Sequence, residues 1–385
     1  MAPKALQPIP MLDFSRQYAS IRDEVLSAIE EVCDSQKFIL GPAVESFERA
    51  AAAACNVPHA IGCGSGTDAL WLSLAAAGLG PRDAVITTPF SFFASVSAIV
   101  RSGSRPLLAD IDPRTFNLSP KAVEETLRSS SAVSIRAVMP VHLYGQCADW
   151  DAFRDLQQRY GFLLIEDAAQ AFGAAWNGQP AGSLGDLAAF SFYPTKNLSA
   201  FGEAGLVTTC SEQYAERAIM LRTHGMRRRY YHDEIGWNSR LDALQAAVLE
   251  VKLRHLPLWN QQRRQVAARY DELFQRAGLS AATTQEGIVL PWTDPRATHV
   301  FHQYVIRVPR RDALRQFLTD RQIGSEIYYP LPLHLQTSLS HLGYKAGDFS
   351  VSEKAAEEVL ALPMFPELQP DEQEIVVEAI RAFYA

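Results

Sequence analysis

The 385-residue sequence has no Cys-x-x-Cys pair and no cluster of cysteine with histidine; its five cysteines, Cys33, Cys55, Cys63, Cys147 and Cys210, are scattered along the chain. This spacing argues against a disulfide framework or a structural zinc and predicts reduced thiols, with no metal among the expected ligands. No apolar stretch approaches the roughly eighteen residues that a membrane span needs. The amino terminus, MAPKALQPIPMLDFSRQ, lacks the uninterrupted apolar core of a secretion signal. A cytoplasmic location without a membrane partner is the expectation. Basic charge is also scarce: 36 Lys and Arg stand against 43 Asp and Glu, a net charge of −7. That balance gives no bulk attraction to nucleic acid, so no nucleic-acid partner is expected. Neither a fixed-period repeat nor a linker of biased composition is present.

What is there is an ordinary globular balance, 48% hydrophobic and 21% charged, which excludes a disordered chain and leaves room for a large core. From about residue 59 to about 210, short apolar runs (HAIGC, DAVITT, RPLLAD, IRAVMPVH, GFLLIED) alternate with amphipathic ones (TDALWLSLAAAGL, FFASVSAIVRSG, DWDAFRDLQQRYG). The order strand, helix, strand predicts an α/β fold with a mainly parallel sheet covered on both faces, and ligands at the carboxyl ends of its strands. Beyond residue 211 the pattern is mostly helical, with one helix expected to stop at Pro257 and another to follow it. The last hundred or so residues mix short strands with helices, including one over VSEKAAEEVLAL, as in a smaller α+β domain. The expected divisions are amino-terminal helices over 1–55, a large domain over 56–255 and a small one over 256–385.

Three segments carry candidate chemistry. Gly62 to Asp68 (GCGSGTD) follows an apolar strand and opens a helix, where glycines let backbone approach a phosphate and free N–H groups favour its charge. The spacing fits neither the dinucleotide nor the P-loop pattern, and the alternative is a tight turn with Thr67 or Asp68 as helix cap. Asp167 ends the apolar run Phe162–Ile165. It is placed to hold a protonated ring nitrogen or a ribose hydroxyl, to act as a catalytic acid or metal ligand, or simply to cap a helix over AAQAFGAA. Lys196 is the only charged residue between Asp186 and Glu203, in a chain with seven lysines. A lysine in such apolar company is either desolvated, with a lowered pKa suited to Schiff-base chemistry, or a loop residue reaching for water. A phosphate cradle, a strand-end carboxylate and a desolvated lysine together are what pyridoxal phosphate requires.

The chain resembles the DegT/StrS-type sugar aminotransferases of the aspartate aminotransferase fold (fold type I). The segments FILGPAVESFE, GCGSGTDAL, DIDPRTFNLSP, PVHLYGQCADWDA, IEDAAQAFGA, FSFYPTKNL, LRTHG, NSRLDALQAAVL, YPLPLHLQ and LALPMFPEL look like that family's signatures, in order over nearly the whole length. The resemblance implies that Lys196 binds pyridoxal 5'-phosphate covalently and alternates with a pyridoxamine form of the cofactor. Asp167 would pair with the ring nitrogen, Gln170 would lie near the phenolic oxygen, and Ser191 with the Gly66 and Thr67 backbone would hold the phosphate. Phe93 is expected against the cofactor face, or else is an ordinary core phenylalanine. Asn238 would reach the partner's cofactor phosphate in a homodimer with shared sites. Arg228 and Arg229, within the tract Arg227 to His232, would meet a nucleotide diphosphate or an acidic sugar, or form a solvated face. Tyr329 and His334, from YPLPLHLQ, would bind substrate.

Some positions depart from the family's pattern. Ser199 and Ala204 stand where glycine is common, and side chains there would narrow the pocket; Tyr328 replaces a frequent histidine. Retention of Lys196 favours transamination over the dehydration seen in relatives that carry histidine instead. The resemblance thus implies amino transfer from L-glutamate to a keto carbon of a dTDP- or UDP-linked ketosugar in aminosugar biosynthesis. FSFYPTKNL is closer to members acting at carbon 3 than to those with His-Pro-Val-Lys acting at carbon 4. The alternatives are a carbon-4 enzyme, a non-enzymatic cofactor-binding regulator, and a nicotinamide-linked dehydrogenase, which would need the missing G-x-G-x-x-G.

Overall fold

The computed structural model describes residues 8–130 and 133–385. Seven strands form the central sheet in the order His59–Cys63, Gly205–Thr209, Leu187–Ser191, Leu163–Asp167, Ile135–Val138, Ala84–Thr87, Arg105–Leu108. All neighbours pair in parallel except Gly205–Thr209, which runs antiparallel to the strand on each side. Every apolar run read as a strand in this region is one, and the sheet is mainly parallel as expected.

Both faces of the sheet are covered, and the side-chain alternation of the strands shows why. Ile86, Val138, Leu164, Phe190 and Leu206 point into one core cluster, whereas Val85, Ala137, Ile165, Leu187 and Val207 point into the other. Successive residues face opposite sides, so a strand buried on both faces must be apolar throughout, which is the signal that the sequence carried. Helices Gly66–Ala76 and Glu212–Leu221 supply the second cluster, and Trp150–Tyr160 the first.

The amino-terminal helices Phe14–Ser35 and Pro42–Cys55 pack on this part of the chain. Val44, Phe47 and Ala51 enter the first sheet core, while Ile21 and Val25 meet Val248, Val251 and Trp259. Gly41, with φ of +84°, makes the turn between them, and Pro42 takes the first helical position, where its missing N–H costs nothing.

Two helix readings need correction. A single helix spans Ala243–Arg276 with Pro257 inside it. An interior proline costs about 3 kcal/mol. Here the helix is held on both sides of it, by Ala246 and Leu249 in the sheet core and by Val266, Ala267, Tyr270 and Phe274 in the carboxyl-terminal core. It therefore runs through the expected boundary at 255/256. The second correction concerns VSEKAAEEVLAL: the helix stops at Glu358, and Val359–Leu362 is a strand paired antiparallel with Tyr304–Arg307. Helices Arg311–Thr319 and Pro370–Tyr384 close that core through Leu314, Leu318, Val376 and Ile380. No helix among the described residues is long and apolar enough to cross a membrane.

Candidate active site

A cavity of about 700 Å³ opens at the carboxyl ends of the parallel strands. Its wall includes Gly66, Thr67, Asp167, Gln170, Ser191 and Lys196, which come from three separate segments. The sheet brings them together because the strands ending at Cys63, Asp167 and Ser191 lie within one set of neighbours.

The cradle is built by close packing. Ser65, not Thr67 or Asp68, caps the helix Gly66–Ala76, its Oγ accepting the Asp68 N–H at 3.1 Å. A Cβ at Gly66 would fall inside contact distance of the Ser191 Cβ and 2.9 Å from its Oγ; one at Gly205 would run into the Ser65 carbonyl. The helix start is thus pressed against the strand ends, leaving its free N–H groups facing the cavity with Thr67 and Ser191 beside them. The strand beneath is fixed by Glu48, which accepts the Gly62 N–H at 2.7 Å, while Arg222 donates to Glu48 at 2.5 Å and to the Gly62 carbonyl at 2.6 Å. This is a fit for a phosphate group.

Asp167 is buried at its strand end, and no helix follows it. Burial pushes its carboxyl above the usual range; the Ser95 hydroxyl, donating at 2.6 Å, and the Ala169 N–H at 3.3 Å pull it back, helped by the charge of Lys196. Ser95 in turn meets Ser91 at 2.8 Å. Its neighbour Glu166 anchors the strand end by accepting from the N–H groups of Gly182, Leu184 and Gly185 and from His142 at 3.0 Å. The Ala148 N–H donates to His142 Nδ1, so the imidazole proton sits on Nε2, facing Glu166.

Lys196 is open to the cavity and shielded from bulk water. Desolvation lowers its pKa to about 8 against the opposing pull of Asp167, so a usable fraction of the amine is neutral near neutral pH. Next to it, Asn197 donates to Asn260 and to the Val300 carbonyl, both at 2.9 Å, which fixes the loop. His302 lies 3.2 Å from Asn197 Oδ1, lines the cavity and is kept neutral by burial. A neutral amine, a buried carboxylate and a phosphate-sized cradle around one cavity suit a pyridoxal group.

Gln170 is committed to the protein itself: its Oε1 accepts the Tyr144 N–H at 2.6 Å and its Nε2 donates to the Tyr329 hydroxyl at 3.2 Å. Tyr329 and Tyr328 both line the cavity. The phenylalanine on the cavity wall is Phe92, the residue before the expected Phe93. Phe92 lines the cavity, 59% exposed and with its ring 6.3 Å from that of Tyr329, whereas Phe93 is not on the wall and sits at the start of helix Ala94–Arg101.

Four more residues of the expected site, and the two positions expected to narrow it, lie outside this wall. His334 is buried against Phe349, with Nε2 3.0 Å from Glu353, and does not reach the cavity. Arg228 and Arg229 extend from an exposed hairpin, Met226–Arg228 with Tyr231–His232, each over a tyrosine ring of the same hairpin. Asn238 is exposed and bridges to Thr223. Ser199 does not narrow the cavity, since its hydroxyl accepts from the buried amine of Lys252 at 2.9 Å; Ala204 is likewise off the wall, while Glu203 is on it. Ser95 and His302 escaped the sequence reading. A serine four residues after Ser91 at a helix start was the one available sign of the first, and nothing local marks the second.

The chain matches the DegT/DnrJ/EryC1/StrS aminotransferase family over residues 19–381. It is 47% identical to a pleiotropic regulatory protein of Geobacillus stearothermophilus, over 98% of each chain. It is 41% identical to dTDP-3-amino-3,4,6-trideoxy-alpha-D-glucose transaminase of Streptomyces venezuelae, over 99% of this chain and 98% of that one. With UDP-N-acetyl-3-dehydro-alpha-D-glucosamine 3-aminotransferase of Acidithiobacillus ferrooxidans it shares 39% identity over 97% of each. Among solved structures, S. venezuelae DesV in complex with a ketimine intermediate superposes with a TM-score of 0.92 at 41% identity, covering 98% of this chain and 99% of that one. Bacillus subtilis NtdA with bound cofactor PMP gives 0.88 at 31% identity, covering 99% and 86%.

Proposed function

The chain belongs to the DegT/DnrJ/EryC1/StrS aminotransferase family, and within it we propose a pyridoxal phosphate-dependent transaminase. It moves an amino group from L-glutamate to carbon 3 of a dTDP- or UDP-linked ketosugar. The observation that carries this reading is the meeting of Lys196, Asp167 and the Gly66–Ser191 cradle around one cavity. The names of the two transaminase relatives, both acting at position 3, support the choice of carbon over carbon 4. The presence of a desolvated lysine and a buried carboxylate on one cavity favours catalysis over a purely regulatory role.

When bound, pyridoxal phosphate would withdraw electrons from the bond broken at the amino-bearing carbon. The residues supply the rest. Thr67, Ser191 and the backbone N–H groups after Ser65 would bind the phosphate, and Asp167 would hold a proton on the ring nitrogen. Lys196 Nζ would link to the cofactor at rest, then accept the proton from the donor's carbon and return it to the sugar carbon. Ser95 holds Asp167 in place and favours its charged form against the effect of burial. Phe92 and Tyr329 would cover the ring, with Tyr329 fixed by Gln170.

The site would be completed in a homodimer. The exposure of Asn238, Arg228 and Arg229, away from their own cavity, supports their reaching a partner's cofactor phosphate and substrate. Assay of nucleotide-linked 3-keto and 4-keto sugars with L-glutamate tests the reading. Amination of the 3-keto compounds is expected; exclusive activity on 4-keto compounds would overturn the choice of carbon 3.

A further inference from the structure

Resting on the transamination reading, we propose that residues 9–12 form a fixed strap whose Met11 and Leu12 side chains select the acceptor sugar. The segment precedes the first helix, and both residues line the cavity together with Ile327, Tyr328, Tyr329 and Met364. This wall meets the side made by the cradle, Asp167 and Lys196 at Tyr329, which is bonded to Gln170. Met11, Leu12, Ile327 and Met364 give this wall an apolar stretch beside Gln303, Glu326 and the two tyrosines, and apart from Lys196 no cationic side chain lines the cavity among the described residues.

The strap is held at both ends. Ile9 donates to the Gln322 carbonyl at 2.9 Å and accepts the Gly324 N–H at 2.7 Å; the Met11 carbonyl accepts the Met364 N–H at 3.2 Å. Just beyond it, Asp13 caps the helix Phe14–Ser35, and Arg16 makes two bonds to Glu372 at 2.6 and 2.8 Å. Gly324 permits the approach, since a Cβ there would lie 2.5 Å from the Met11 nitrogen. Met11 then packs beside Ile327, Tyr328 and Tyr329, and Leu12 joins the carboxyl-terminal core. A segment pinned this way presents its side chains in fixed positions, which is what discrimination by shape requires.

The apolar side chains of Met11, Leu12, Ile327 and Met364 fit the C–H face of a sugar ring or a deoxygenated carbon, since a hydroxyl set against them gains no partner, while Gln303, Glu326, Tyr328 and Tyr329 offer partners to the sugar's other hydroxyls. Two variants test the strap. Met11→Ala removes contact from within the cavity, and Gly324→Ala pushes the strap from outside it. Each is expected to raise the KM of the ketosugar roughly tenfold relative to that of L-glutamate. Each should also change the ratio of kcat/KM between a dTDP-linked 3-keto-6-deoxyhexose and a UDP-linked 3-keto-hexosamine bearing a 6-hydroxyl. Unchanged relative KM and unchanged preference in both variants would overturn the strap's role. Absence of any glutamate-driven conversion in the unaltered protein would instead overturn the transamination reading, and the strap's role with it.

Discussion

Gly66 and Ser191 lie so close that a Cβ on the glycine would press on the serine side chain, 2.9 Å from its Oγ. The first residue of a helix and the last residue of a strand are thereby locked together beside Thr67, at the end of the cavity suited to a phosphate.

Gly66→Ala therefore forces the cradle open. Overpacking of this kind costs about 1–3 kcal/mol, which, if borne by the cofactor site, corresponds to roughly five- to 150-fold weaker binding of pyridoxal phosphate. Titration of the apo-protein with the cofactor, followed by absorbance, checks this. Unchanged affinity would place the phosphate elsewhere.

Ser95→Ala removes the hydroxyl that donates to Asp167. That bond opposes the upward shift that burial imposes, so the Asp167 carboxyl moves higher still. Because the carboxylate must be ionised to hold the ring proton, the acid limb of the kcat profile should move to higher pH. A hydrogen bond to a charged group contributes about 1.5–3 kcal/mol, so a loss of roughly tenfold or more in kcat is expected as well. A profile that overlays the unaltered one would contradict the assignment.

The lowered pKa of Lys196 sets a pH dependence for loading the apo-protein. Only the neutral amine attacks the cofactor aldehyde, and with a pKa of about 8 the neutral fraction rises through that pH and is nearly complete well below 10.5. The rate of reconstitution should climb between about pH 7 and 9 and then level off. A rate still climbing towards pH 10.5 would mean that the lysine is not desolvated.

Replacing each of the adjacent phenylalanines separates their roles. Phe92→Leu is expected to weaken cofactor binding or raise the acceptor KM several-fold, about 0.5–1.5 kcal/mol for a lost aromatic contact. Phe93→Leu should change neither. Equal effects in the two variants would contradict the placement of Phe92 alone on the cavity wall.

The same pair shows where the sequence stops being informative. A strand buried on both faces must be apolar throughout, so Ala84–Thr87 and Leu163–Asp167 were visible as runs, and the glycines and the lone Lys196 were visible as exceptions to their surroundings. Phe92 and Phe93 lie in an irregular turn before a helix, where neither the two-residue nor the 3.6-residue period says which ring faces inward. Pro257 misled for a different reason, since long-range packing on both sides outweighs its local preference. His302, Met11 and Leu12 reach the cavity only through the pairing of distant segments, such as Ile9 with Ile323, which leaves no local signature.

The most direct test of the central claim is the visible absorption spectrum of the purified protein with pyridoxal phosphate, before and after L-glutamate, alongside Lys196→Ala. The account predicts a yellow band that glutamate bleaches as the pyridoxamine form accumulates, and a variant that neither forms the lysine-linked band nor turns over. A band that ignores glutamate, or a Lys196→Ala protein with near-normal turnover, would contradict it.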